Sequence, residues 1–290
     1  MRISYFTGRT VLITGASAGI GYEFARQLAP VVSTMVLVAR RNDRLEALKS
    51  ELKVINPKLE LFSRPLDLRY KDELERFCDW LDESGLAIDV LINNAGLGDH
   101  GPFVECEWER VNSMLQVNVY ALTYLTFRVL PEMRKARCGA ILNVSSIASL
   151  LPLPNSAVYA ATKAYVTSFS EAVRAELRSS NISVTALCPG PVSTEYLSHA
   201  TRAGERQRHT APDCFVVPVQ EVVRQALKAA TNDRARVIPG TIVNLAMTAV
   251  AFLPMFIKRL VYDARVKHQQ LARKPHTECG DTRSSRTISF

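Results

Sequence analysis

Seven short aliphatic and β-branched runs, each separated from the next by a stretch of helical or polar character, constrain this chain more than any other feature. The runs are "TVLITGA" (10–16), "TMVLVAR" (34–40), "LELFSRPLD" (59–67), "IDVLINNAG" (88–96), "GAILNVSS" (139–146), "ISVTALCPG" (182–190) and "ARVIPG" (235–240). Between them "GYEFARQLAP" repeats apolar residues at Phe24 and Leu28, and "NDRLEALKSELKVIN" sets Leu45, Leu48 and Leu52 on one face, with Asn42 or Asp43 as its cap. Further helices are expected over 70–84, from about Glu107 to Met133 as one long element, over 156–178 and over 220–232. Alternation at this spacing means βαβ units, hence a parallel sheet with helices on both faces. Runs this apolar fit strands buried on both sides. The fold class is therefore α/β: a doubly wound parallel sheet of about seven strands in a three-layer αβα arrangement. With 290 residues, 47% of them hydrophobic, the chain can bury a sizeable core. No internal boundary interrupts the pattern, so residues 8–262 are expected to form one domain, with 263–290 as a basic, disordered tail.

Charge is uneven. From Lys258 onward there are eight basic and three acidic residues, which supplies +5 of the net +8. A basic tail attracts nucleic acid or an anionic membrane. A solvated terminus is the simpler reading, and no nucleic-acid partner is expected. Just before it, 21 residues from Val237 to Ile257 carry no charge. That is the length of a membrane span, but Pro239, Gly240, Asn244 and Pro254 interrupt it. A short apolar helix over about 241–253 that lines the core or a pocket is the preferred expectation. A surface helix giving peripheral membrane contact is the competing one. The six cysteines show no metal-knuckle or redox-pair spacing. The N-terminal "MRISYFTGRT" lacks a signal-peptide core. Both point to a cytoplasmic protein.

In such a sheet ligands bind beyond the carboxyl ends of the strands. The first strand is followed by "TGASAGIG", with Gly15, Gly19 and Gly21 between strand and helix, where a diphosphate meets backbone and a helix N-terminus. The second ends at Arg40 and Arg41, where NAD binding calls for an acid; arginines suit a ribose phosphate and so favour NADP. The third ends at Asp67, the fourth at "NNAG" (93–96), the fifth at Ser145 and Ser146, the sixth at "PGPVST" (189–194). Tyr159 and Lys163, in "YAATK", lie four apart and share a helix face. Free tyrosine titrates near about 10, and a neighbouring ammonium favours its phenolate. The phenol thereby becomes a usable acid and base.

"TGASAGIG", "NNAG", Asn118, Ser146, "YAATK" and "PGPVST" occur in the order and spacing of the short-chain dehydrogenase/reductase family, which the chain resembles over roughly residues 8–240. The resemblance implies a Rossmann-like fold, a nicotinamide cofactor and a catalytic tetrad of Asn118, Ser146, Tyr159 and Lys163. The family's thirteen-residue gap between serine and tyrosine selects Ser146 over Ser145. It further implies that Ser146 binds the substrate oxygen, that Lys163 bonds the nicotinamide ribose and that Asn118 holds a water in a proton relay. Contacts to the cofactor are expected from Gly15, Ser17, Gly19, Ile20, Gly21, Arg40, Arg41, Asp67, Asn93, Ala95, Gly96, Tyr159, Lys163, Pro189, Gly190, Val192 and Thr194. Asp67 is expected on the adenine, Asn93 along the adenosine, and Thr194 with the Val192 backbone near the carboxamide. One NADP-using subgroup has a basic residue where this chain has Ala18, so the phosphate preference falls to Arg40 and Arg41, with Ser17 as a hydroxyl donor. The substrate loop is expected at about 193–218, where His199, Arg202, Arg206, Arg208 and His209 suggest either a clamp for an anionic substrate or a solvated lid. The function so read is hydride transfer between NADP(H) and a carbonyl or secondary alcohol, on a hydrophobic small molecule, in a homodimer or homotetramer. The alternative is a catalytically idle NADP-binding regulator or a membrane-associated scaffold.

Overall fold

The computed structural model describes residues 3–192, 202, 215–254 and 256–259. Seven strands form one sheet: β1 (Thr10–Thr14), β2 (Thr34–Ala39), β3 (Glu60–Pro65), β4 (Val90–Asn93), β5 (Gly139–Val144), β6 (Ile182–Leu187) and β7 (Arg236–Val237). Their order is β3-β2-β1-β4-β5-β6-β7 and every pairing is parallel. The winding reverses between β1 and β4, so the loops leaving those two strands diverge and open a crevice.

Alternate side chains of each strand enter opposite layers. In β1, Val11 and Ile13 join one core while Leu12 joins the other. The first core is closed by α1 (Gly19–Leu28), α2 (Asn42–Ile55), α7 (Val219–Thr231) and α8 (Thr241–Phe252). The second is closed by α3 (Lys71–Glu83), α5 (Leu122–Ala136) and the C-terminal part of α6 (Ala157–Glu176). The β1, β2, β5 and β6 strands are buried on both faces, which explains why their sequences show aliphatic runs without polar alternation.

The long helix expected over 107–133 is present but not uniform. It starts as α4 (Trp108–Leu115), widens into a π segment at Gln116–Ala121, and continues as α5. Such bulges detach a backbone carbonyl from the regular ladder and recur at functional sites; this one carries Asn118.

The apolar segment after Gly240 forms α8, of twelve residues. Val243 and Met247 are buried in the first core, whereas Ile242, Leu245 and Phe252 are exposed. Among the described residues no helix is long and apolar enough to cross a membrane. Met1–Phe252 form one compact unit. A second comprises Leu253–Phe290, of which 253, 254 and a helical turn at 256–259 are described. The expected domain limit at 262, the tail from 263, Thr194, and His199, Arg206, Arg208 and His209 lie outside the described residues.

Candidate active site

The turn after β1 is where sequence and sterics agree most closely. Gly15 has φ +66°, a region disfavoured for side chains, and a Cβ there would lie 2.8 Å from the Asn94 amide nitrogen. A Cβ on Gly21 would collide with the Gly15 carbonyl and with the same amide. Asn94 clasps the turn, donating from Nδ2 to the carbonyls of Thr14 (2.9 Å) and Gly15 (3.1 Å). The Thr14 hydroxyl in turn accepts from the N–H groups of Asn94 (3.0 Å) and Ala95 (3.1 Å). The two diverging loops at the switch point are thus sewn together. The helix that follows starts at Gly19 with Ala18 as its cap and no side-chain acceptor. Its first N–H groups, flanked by Ser17 and Ile20, are matched to an external anion.

The Asn93 expectation needs correcting at the level of its side chain. The buried amide of Asn93 donates to Asn143 Oδ1 (2.9 Å) and Thr126 Oγ1 (3.1 Å), and Asn143 passes the chain on to Ser170 (2.9 Å). This is an interior network between β4, β5, α5 and α6, so only the backbone of Asn93 is left for an adenosine. The neighbouring Asn94 is the residue that shapes the cofactor turn. The motif holds both asparagines, and strand parity is the signal that separates them, since adjacent residues point to opposite faces.

Beyond β2 and β3 the surroundings are basic. Arg40 is exposed, and Arg41 is the N-cap residue of α2. Burial alone would raise the Asp67 carboxyl; a bidentate grip by Arg69, at 2.7–3.1 Å, outweighs it and holds the carboxyl below its usual range, with Arg40 adding a smaller pull. Arg69 was not anticipated. It occupies the carboxylate that was expected to meet the adenine.

Of the residues expected to form a tetrad, Lys163 and Asn118 come close together beside Gly96, with the Tyr159 ring near the Lys163 ammonium. Lys163 is buried and donates from Nζ to the Val144 carbonyl at 2.8 Å, with its ammonium 5.9 Å from the centroid of the Tyr159 ring. Desolvation lowers its pKa to about 8. A Cβ on Gly96 would lie 3.2 Å from that Nζ and 3.5 Å from Asn118 Oδ1, so the bare glycine leaves the space between them open. Asn118 is fully engaged: Oδ1 accepts from Leu97 N–H (2.8 Å), and Nδ2 donates to Leu97 O (2.9 Å) and Thr162 Oγ1 (3.0 Å). It ties the β4 loop to α6.

Ser145 and Ser146 separate cleanly. The Ser145 hydroxyl donates to the Lys163 carbonyl (2.8 Å) and meets Thr167 Oγ1 (2.8 Å), holding α6 against β5. Ser146 instead accepts from Ala148 N–H at 3.1 Å, which orients its own O–H as a donor. Tyr159 lines a cleft with Phe103, Cys106, Met114 and Asp99. The β6 turn joins the same end: Pro189 O accepts from Ile147 N–H (3.0 Å), Val192 is buried, and a Cβ on Gly190 would touch Val243 of α8 at 3.4 Å.

The donor set fits a dinucleotide: a glycine turn that Cβ atoms would fill, an uncapped helix start and a buried lysine between turn and phenol. Known proteins agree. Residues 9–205 match the family described as short chain dehydrogenase. An uncharacterised oxidoreductase of Staphylococcus saprophyticus is 38% identical over 234 residues, spanning 78% of this chain and 94% of that protein. A short-chain dehydrogenase from Sphingobium yanoikuyae in complex with NADPH has a TM-score of 0.75 at 30% identity, covering 94% of this chain and 99% of that one. The bulky-bulky ketone specific alcohol dehydrogenase from Comamonas testosteroni has a TM-score of 0.69 at 26% identity, covering 94% and 97%. With the family match running across the glycine turn, the β4 and β5 ends and the Tyr159–Lys163 helix, this chain belongs to the short-chain dehydrogenase/reductase family of NAD(P)-using oxidoreductases.

Proposed function

We propose that the protein interconverts a ketone or aldehyde and its alcohol with NADP(H) in preference to NAD(H), on an uncharged, largely apolar substrate. The observation that carries this reading is the buried Lys163 ammonium held between the Val144 carbonyl and the Tyr159 ring. A buried cation is costly unless its field is used. Here it stabilises negative charge on the phenol oxygen as the Tyr159 proton leaves. Ser146 O–H donates to the substrate oxygen as charge develops there. The nicotinamide, when bound, supplies or accepts hydride. Asn118 has committed its amide to Leu97 and Thr162, so the relay water falls to the backbone of the π segment. Gly15, Gly19 and Gly21, with Ser17 and Ile20, take the diphosphate. Arg40 and Arg41 take the ribose phosphate; the basic neighbourhood of Asp67 and the NADPH complex of the Sphingobium relative support this. Ala95 and Gly96 lie along the ribose, and Pro189, Gly190, Val192 and Thr194 against the carboxamide.

The apolar class of substrate is supported by Phe103 and Met114 beside Tyr159 and by the ketone named for the Comamonas relative. The chain acts as a homodimer or homotetramer that covers the exposed Phe127 of α5 and Tyr165 of α6; light scattering showing a monomer at micromolar concentration rejects that assembly. The decisive experiment is a panel of carbonyl and alcohol compounds followed at the nicotinamide absorbance with both cofactors. Turnover of bulky neutral ketones with NADPH is the expected result. Tight cofactor binding without turnover of any compound points instead to an idle regulator.

A further inference from the structure

Arg202, in the expected substrate loop, does not face an open cleft. Its guanidinium reaches back to Asp99, with Nε–Oδ1 at 3.1 Å and Nη2–Oδ2 at 2.7 Å, and it donates to the Pro102 carbonyl at 3.3 Å. The pair is well shielded, with side-chain exposures of 15% and 8%. Arg202 lies so close over Gly101 that a Cβ there would be 2.6 Å from it, and Gly101 N–H is bonded to Asn155 O (2.7 Å) at the start of α6. Asp99 also accepts from Arg110 Nη1 at 2.8 Å and from the Cys106 thiol at 3.4 Å. Asp99, Gly101 and Cys106 share the cleft lined by Tyr159.

From this geometry we infer that Asp99 is a specificity-determining residue: it neutralises Arg202 at the rim of the Tyr159 cleft and so reserves the cleft for uncharged substrates. The inference rests on the proposed reaction site and names what that site rejects. A bidentate guanidinium–carboxylate pair leaves little of the fork for a second carboxylate. A carboxylate-bearing carbonyl compound must displace Asp99 to reach the Arg202 fork. The arginine that looks in the sequence like an anion clamp is thereby held behind Gly101, which lines the cleft.

A matched pair of probes tests this: para-acetylbenzoate and para-acetylbenzamide, titrated calorimetrically into the full chain with and without NADPH. The wild type is expected to bind the amide at least as well as the acid. Asp99→Asn keeps the shape, removes the charge, and is expected to shift the preference toward the acid by about tenfold, the worth of one charge-assisted hydrogen bond. The shift should vanish in Asp99→Asn/Arg202→Leu and survive in Asp99→Asn/Arg110→Leu, which assigns it to Arg202. An unchanged ratio in Asp99→Asn, a shift that persists without Arg202, or a wild type that already prefers the acid each overturns the inference. Because binding rather than turnover is read, and is read without cofactor too, its failure is separable from failure of the proposed reaction.

Discussion

The nucleotide side of the crevice, from the β1 turn to the end of β3, and the chemical side, from the end of β4 to α6, solve different problems with different materials. The first is made of backbone: three glycines, an uncapped helix start and carbonyls held by Asn94. The second is made of buried polar side chains anchored mostly on backbone: Lys163 on the Val144 carbonyl, Asn118 on the Leu97 backbone and the Thr162 hydroxyl, Ser145 on the Lys163 carbonyl. A diphosphate needs close approach and N–H donors, which side chains would obstruct. Proton transfer needs particular groups at fixed distances in a dry place, which only side chains supply. Damage on the first side should therefore appear as lost cofactor affinity, and damage on the second as lost rate.

The largest separation is expected at Tyr159. Tyr159→Phe removes only the transferable proton, so turnover should fall by about 10²–10⁴-fold, the usual worth of a positioned acid. Cofactor affinity should stay close to that of the wild type. Retention of more than about a tenth of the rate, with chemistry limiting, would remove Tyr159 from its role as acid.

Lys163 sharpens the comparison because its function and its burial oppose each other. Its folded pKa of about 8 lies below the unfolded value of about 10.4. The folded apoprotein therefore holds fewer protons than the unfolded chain between those values. The burial penalty is fully present below pH about 8 and fades as pH rises toward 10. The cost is on the order of 3 kcal/mol. Lys163→Met removes the titration, so wild-type stability should gain on the variant as the pH is raised from about 8 to 10. Chemical denaturation across that range measures it; parallel stability curves would mean that the ammonium is better solvated than its contacts indicate. Activity should be lost in the variant.

On the nucleotide side, replacing Arg40 and Arg41 together by uncharged residues should weaken NADPH much more than NADH. One charge-assisted contact is worth about 1.5–3 kcal/mol, or one to two decades of affinity. Fluorescence titration with both cofactors decides; equal losses would make the arginines surface charges unrelated to the phosphate.

How far these two sides were legible follows from how local their signals are. The strands, the glycine turn and the Tyr159–Lys163 pair are written in short-range spacing, periods of two and 3.6 and an i,i+4 step, and the structure reproduces the fold they imply. The π segment was not legible, because 107–133 has an unbroken helical period and the Asn118 contact with Leu97 within the bulge is not local in sequence. Nor was the Asp99–Arg202 pair, which joins residues 103 apart and leaves no periodic trace. The Asn93–Asn94 choice was half legible. The residue types named the motif, but only strand parity told which side chain faces the cofactor turn.

That adjacent pair gives a direct test of the two-material view. Asn93→Ala leaves Asn143 Oδ1 without its donor in the interior and should cost about 1–3 kcal/mol of stability. Asn94→Ala releases the carbonyls of Thr14 and Gly15 and should weaken cofactor binding by about fivefold, for a bond of about 1 kcal/mol, with a smaller change in stability. Reversal of the two phenotypes would break the comparison.

The smallest effect is expected from removing the last residues of the chain. α8 reaches the β6 turn through Val243, and its buried residues Val243 and Met247 precede Phe252. Deleting residues 267–290 therefore leaves intact every described contact of the site and should leave kcat/KM and solubility unchanged. The opposite face of α8 presents Ile242, Leu245 and Phe252 to solvent, and Lys258 and Arg259 follow in the chain. Apolar exposure beside cations is the composition of a peripheral membrane helix, each surface cation adding about 1 kcal/mol at low salt. Flotation with anionic vesicles separates the two roles. No salt-sensitive binding, in the full chain or the truncation, is the expected outcome if α8 serves the catalytic end of the sheet. Binding by the full chain that is lost on truncation would move α8 and the basic run from the pocket's support to a membrane surface.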